Sequence, residues 1–414
     1  MTDIRSDAAP SGLRHILLAT IIAGGIGYAI QLVVPVLAPQ EYLTFATMWS
    51  ATYLIVTCLS GIQQEITRAA RYDDKGSGFR PWAWFTLAAA LSAAAAVVVV
   101  FAVIGAQLFP DDTALIVAAI ALAAIGYALV AAISGAIYGL KDWSAVAGMT
   151  IADSAIRGVT IGLALIAGAG AVTLAWATAV PFLLAAAAIW LWVGRRVRAN
   201  LTLDVGLAAL MRNAGATVLA SLSTGALISG LPLLLKTFAA DAGADMLASL
   251  VLVITLTRAP LVVPLVALQG YLIVSFRDRR DTVNSAILRW VGVVLAAVLA
   301  LAALAALAGP PLMAWLYASF VQLTPIDFAL IVVGAGFTGV LCITGPAVLV
   351  AGRHAWYTAG WTTSAIITVV VLMLPFDPHS RILVALLAGP VLGVLVHLVA
   401  MRRQHPQVGA ALSE

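Results

Sequence analysis

The chain has 414 residues, of which 63% are hydrophobic and 10% charged, whereas an ordinary soluble domain is roughly half apolar and about a quarter charged. That excess excludes a water-soluble core wrapped in polar surface and points to a chain whose solvent is hydrocarbon. The net charge of +4 and the pI near 9.2 do not indicate nucleic acid, because the basic residues sit in short clusters between apolar runs and form no continuous stripe.

A helix needs about 20 apolar residues to cross roughly 30 Å of hydrocarbon. Cutting the chain where charges, Pro and Gly interrupt such runs predicts about twelve spans: 16–37, 43–64, 82–108, 114–138, 144–167, 172–193, 215–238, 246–272, 290–312, 328–350, 356–374 and 382–401. The polar start leads into a first run too long for a signal-peptide core and without a small-residue cleavage site, so that run is expected to be retained as a span. Cys58 and Cys342 lie inside apolar runs, far apart, with no His or Cys at metal-ligand spacing. They read as inert small hydrophobes, and no metal or cofactor is expected.

Lys and Arg in short loops concentrate on the cytoplasmic side of a membrane, which tests the cutting independently. One set of alternate loops collects Arg5 and Arg14, then Arg68, Arg71, Lys75 and Arg80, then Lys141, then Arg195, Arg196 and Arg198. It continues with Arg277, Arg279, Arg280 and Arg289, then Arg353, and ends at Arg402 and Arg403. The other set holds Asp111, Asp112, Asp241, Asp245, Asp327 and Asp377, with Arg381 its one clear loop cation. A missed span would put the clusters out of phase, so both termini are expected in the cytoplasm.

The longest cytoplasmic connection, 194–213, carries three arginines ahead of a weakly amphipathic stretch, 203–211, and divides the chain into 1–200 and 201–414 with six spans each. The expected class is therefore an all-α integral membrane protein built as two six-helix bundles, a six-plus-six parallel pseudo-repeat. Gly24, Gly25, Gly27 and Pro35 in the first span are echoed by Gly225, Gly230 and Pro232 in the seventh, so the first helix of each half is a place to bend.

An ionisable side chain near the bilayer centre costs at least roughly 2.5 to 3.5 kcal/mol and so requires a reason. Asp153 and Arg157 sit at mid-depth in the fifth span, and their i,i+4 spacing puts them on one helix face. They either neutralise each other inside the bundle or line a polar cavity. Arg258 lies mid-span in the eighth helix, with no acid within one turn and with Pro260 and Pro264 following. It should face water, an acid on another helix such as Asp153, or an anionic ligand. Glu65 and Arg68, at the cytoplasmic end of the second span, can snorkel or form a gate, and Lys236 near the outer end of the seventh can snorkel or face a cavity. His397, with no acidic neighbour, reads as a packing residue.

Gln64, Glu65 and Arg68 ending the second span, Ser134-Gly135 to Tyr138-Gly139 ending the fourth, and Asp153 to Arg157-Gly158 in the fifth together give the whole chain a family likeness. It resembles the polysaccharide-transporter branch of the multidrug/oligosaccharidyl-lipid/polysaccharide exporter superfamily, flippases for polyprenyl-linked oligosaccharides. The resemblance implies a V-shaped pair of bundles around a central cationic cavity that opens alternately to each side. It maps cavity cations onto Arg157 and Arg258, with Glu65 and Arg68 at the cytoplasmic entrance. It also implies a monomer in the cytoplasmic membrane, with membrane lipid around it and glycosyltransferases or polymerases as partners. Related lipid II flippases usually carry two further C-terminal spans, which this sequence lacks.

Two other classes fit parts of the pattern. A drug or solute antiporter would give six plus six spans, but acids would dominate a cavity for cations, and here arginines lead. A membrane glycosyltransferase or polysaccharide polymerase would place its chemistry on a sizeable outer loop, and the outer loops here are short.

Overall fold

In hydrocarbon every backbone N–H and C=O must be satisfied within its own segment, so long apolar runs fold as helices. A computed structural model describes residues 8–73, 78–278 and 283–402. Arg5, Lys75, Arg279, Arg280 and Arg403, assigned above to cytoplasmic loops, lie outside the described residues.

The helices are α1 (Ala8–Leu37), α2 (Tyr42–Ala69), α3 (Phe79–Leu108), α4 (Thr113–Gly139), α5 (Trp143–Ile166), α6 (Ala171–Asn200), α7 (Leu207–Ile228) and α8 (Leu231–Phe238). They continue as α9 (Ala244–Asp278), α10 (Val283–Leu316), α11 (Pro325–Val350), α12 (His354–Leu372) and α13 (Pro378–Arg402). Among the described residues 11 helices are long and apolar enough to span, and α7 with α8, bent by 75° at their break, makes up to a twelfth if the pair is one span. The chain divides into two compact units, Met1–Gly225 and Ala226–Glu414, with the boundary inside α7.

The two units repeat one packing plan. In the first, α4 packs on α2, α3 and α6, while α5 packs on α6. In the second, α11 packs on α9, α10 and α13, while α12 packs on α13. Burial follows the same order: the third span of each half is 17% buried, the fifth 28% and the sixth 50%, while the second is 56% and 59% and the fourth 61% and 72%. The fourth span is thus the core helix of each half and the third is the most lipid-exposed. The pseudo-repeat is written in packing partners and in how much of each span is buried.

The halves differ at their first helix. α1 runs unbroken through Pro35, whereas the seventh span, expected as one helix, breaks at Ser229-Gly230. Pro232 lies in the first turn of α8, where its missing N–H costs no helical bond. Pro260 and Pro264 do not interrupt α9. The 194–213 connection is also more ordered than expected, since α6 carries Arg195, Arg196 and Arg198 on its last turns and α7 begins at Leu207.

The helical expectation omitted a two-stranded antiparallel ribbon, β1 (Ala70–Tyr72) with β2 (Leu201–Leu203), Ala70 opposite Leu203. Three residues are too few to show a strand period. The ribbon joins the exits of α2 and α6, and an ion pair from Arg196 to Asp142 adds the α4–α5 turn, so three basic clusters meet at one end of the first unit. In the second unit Arg353 donates to the Ala400 carbonyl, joining the α11–α12 turn to the end of α13. At the opposite ends, Glu41 accepts from Ala171 N at 3.0 Å and Arg381 pairs with Asp241. Arg381, the cation that broke the charge rule, is 5% exposed and also donates to the Leu374 carbonyl at 2.9 Å. It is neutralised inside the fold.

Three helices end in the same way. After α4, α5 and α11 the chain turns through a left-handed residue whose N–H and the next N–H bond back into the last turn. Two of these residues are Gly168 (φ 65°) and Gly352 (φ 75°); the third is Lys141 (φ 58°). A side chain there costs roughly 1 kcal/mol relative to glycine. Because α4 and α11 are equivalent, Lys141 stands where the other half uses glycine.

Candidate functional site

Apart from Lys236, the charged residues singled out in the sequence fall in two polar spots, one in the core of each unit, and in a cluster at the basic end of the first unit. In the first unit, Arg157 of α5 is 2% exposed. Its Nη2 donates to Asp153 Oδ1 at 2.5 Å and its Nη1 to the Thr178 carbonyl of α6 at 2.9 Å. The guanidinium carbon lies 3.9 Å from the centroid of Phe182 and 5.8 Å from that of Tyr53, a stacking that favours a desolvated cation. Asp153 keeps 21% of its side chain exposed. The i,i+4 pair therefore forms as expected, with Arg157 enclosed and the carboxylate as its open edge.

In the second unit, Arg258 of α9 is 8% exposed and makes no ion pair among the described residues. Its Nη2 donates to the Leu227 carbonyl at 2.5 Å and to Thr338 Oγ1 of α11 at 3.2 Å. Leu227 is in the last turn of α7, whose carbonyls lose their helical donors at the bend. Arg258 thus caps the break and sits at the negative end of the helix dipole. That accounts for one nitrogen, while the buried Nε has no partner among the described residues.

Glu65 is buried rather than snorkelling. Its carboxylate accepts from Arg68 Nε at 2.9 Å, from Arg68 Nη2 at 2.6 Å and from Asn213 Nδ2 of α7 at 2.9 Å. Arg68 remains half exposed. Lys236 lies half-buried in the last turn of α8. His397 is fully buried, within 2.9 Å of Thr344 Oγ1 and 3.2 Å of the Tyr357 carbonyl.

Sequence reasoning missed Asn213, Thr338 and the aromatic wall of Arg157. Tyr53 and Phe182 carried a signal, as ring residues in mid-span at the depth of a buried cation. Asn213 carried a weaker one, being an amide near the entry to an apolar run. The Leu227 carbonyl had none, because it becomes available only when α7 breaks.

These helices and their order define the class. The described chain aligns over 92% of its length, and 94% of the other chain, with an inward-facing multidrug resistance MATE family transporter of the MOP superfamily (TM-score 0.63, 13% identity). It aligns over 94% of its length, and 87% of the other chain, with the lipid II flippase MurJ in an inward closed conformation (TM-score 0.65, 9% identity). The chain shares its fold with these two transporters. No family model matches the sequence. At the sequence level the chain is 30% identical to the uncharacterized protein Rv1510 of Mycobacterium tuberculosis (strain ATCC 25618 / H37Rv), covering 98% of this chain and 96% of the relative. It is 30% identical to the uncharacterized protein Mb3654 of Mycobacterium bovis (strain ATCC BAA-935 / AF2122/97), covering 95% and 93%. The chain belongs to the family of these mycobacterial proteins.

Proposed function

We propose that this protein is a flippase that carries a polyprenyl-diphosphate-linked oligosaccharide from the inner to the outer leaflet of the cytoplasmic membrane by alternating access. The observation that carries the reading is Arg258, a buried guanidinium with neutral oxygen partners, one of them the end of a broken helix, and one unpaired nitrogen. A cation desolvated without a counter-charge is costly unless an anion joins it during the working cycle. The planar donors of arginine suit the oxygens of a diphosphate. Such a cargo has a head too polar for hydrocarbon and a tail too apolar for water, so its head must cross inside the protein. An inside-negative potential assists outward movement of an anion by about 2.3 kcal/mol per charge per 100 mV. The fold shared with the lipid II flippase supports the same class of cargo. In this reading Arg157, Asp153 and Lys236 border the path, and Glu65 with Arg68 stands at its cytoplasmic entrance.

Arg258→Gln tests it, because a glutamine amide can still donate to the Leu227 carbonyl while carrying no charge. The expected result is an unfolding temperature in detergent close to that of the parent, with translocation of a lipid-linked glycan in vesicles reduced at least about tenfold. Undiminished glycan translocation would remove the anionic cargo from the reading. Export of a cationic drug, with glycan movement absent in the parent protein, would assign the chain to the antiporters instead.

A further inference from the structure

Away from both polar spots, the basic end of the first unit holds an open cleft of about 640 Å³ between β1 and the α4–α5 turn. It exists because α4 carries Gly139 where β1 crosses: a Cβ there would stand 2.4 Å from the Ala70 Cβ. Two cations line the cleft, Arg71 from β1 and Lys141 from the turn, together with the rings of Tyr72, Tyr138 and Trp143.

The cations are held differently. Arg71 donates to the Arg68 and Ala70 carbonyls at 2.6 and 2.9 Å and pairs with Asp204 at 2.9 Å, so its guanidinium is fixed in place. Lys141 is exposed. Asp142 beside it is already engaged by Arg196, Ser144 and the Ala145 N–H. Lys141 also occupies the left-handed position that glycine fills at Gly352, at the equivalent end of the other half. Glycine would adopt this left-handed backbone at lower cost than lysine. Tyr138 and Trp143 meet edge to face at 6.1 Å and line the same cleft as Lys141. Amphipathic rings of this kind sit at the level of lipid headgroups.

We propose that this cleft is a binding site for a phosphate-bearing lipid headgroup at the cytoplasmic leaflet, with Lys141 and Arg71 on the phosphate oxygens and Tyr138 and Trp143 against the attached polyol or sugar. Charge-assisted bonds to phosphate supply the affinity, and the rings accept the less polar faces of the attached group. The proposal does not depend on the cargo assignment, because the site is defined by binding and lies outside the buried spots. Its chemistry fits two sources, an anionic phospholipid or a polyprenyl diphosphate.

Native mass spectrometry of the full chain released from detergent, titrated separately with dioctanoylphosphatidylglycerol, farnesyl diphosphate and dioctanoylphosphatidylcholine, tests it. Saturable binding of the phosphatidylglycerol or the farnesyl diphosphate, and not of the zwitterionic lipid, is expected. Lys141→Gln and Lys141→Gly should each weaken it at least about tenfold, while Arg195→Gln, a cation at the same end but outside the cleft, should not. Lys141→Gly should also unfold at a higher temperature than the parent, showing that lost binding is not lost folding. Binding of phosphatidylglycerol alone identifies a phospholipid site, and of farnesyl diphosphate alone a site for a polyprenyl diphosphate. Equal binding of the zwitterionic lipid, or full binding by both Lys141 variants, overturns the proposal. Arg258→Gln should retain this binding, so failure of the flippase reading and failure of this site are separate results.

Discussion

Glu65 on α2 accepts a 2.9 Å hydrogen bond from Asn213 on α7, which joins the second span to the first turns of the seventh. One turn of α2 earlier, Gly61 lets the α7 backbone approach so closely that a Cβ would stand 2.8 Å from Val218 N. The entry of α7 is thus docked on the first unit by a polar bond and a backbone contact.

Removing the polar half of that dock takes one of three hydrogen bonds from a buried carboxylate that Arg68 still holds. Asn213→Leu is expected to destabilise the protein by about 1–3 kcal/mol, read as a lower unfolding temperature in detergent, and Glu65→Gln by less because the amide can still bond Asn213.

The backbone half is less forgiving. Gly61→Leu meets the α7 backbone first, at Val218 N and Thr217 C, so a cost of at least about 1–3 kcal/mol is expected, seen as poor recovery of folded protein. Gly24→Ala, where a Cβ meets nothing within 4 Å, should be recovered like the parent.

Asp153 and Arg157 should behave as a unit. Asp153→Asn leaves Arg157 buried without its counter-charge and should cost about 3–5 kcal/mol. Replacing both, as Asp153→Asn with Arg157→Gln, should recover much of that stability while leaving translocation impaired. Additive losses in the double-mutant cycle would show that the two do not interact.

Arg381 offers a comparison outside the proposed path. Arg381→Met should be tolerated better than Asp241→Leu, because the first removes a buried charge and the second leaves one unpaired. Translocation should follow the amount of folded protein in both, and a specific loss of transport in Arg381→Met would extend the site to the outer ends of α12 and α13.

Much of this was legible in the chain itself. Apolar run lengths determined the spans and their number, because hydrocarbon permits little but helices, and the phase of Lys and Arg set the orientation expected of them. Asp153, Arg157 and Arg258 stood out for the same reason, as costly residues in an apolar medium. The tertiary structure decided what each charge touches. Arg157 is enclosed by Asp153, Thr178 and Phe182, whereas Arg258 caps a carbonyl that exists only because α7 breaks. It also decided that a three-residue ribbon would gather the basic clusters, and that Lys141 would occupy a glycine position above a cleft. Composition and periodicity are properties of single segments and can be read along the chain. Caps, close approaches and clefts arise from pairs of segments distant in sequence, and only packing brings those together.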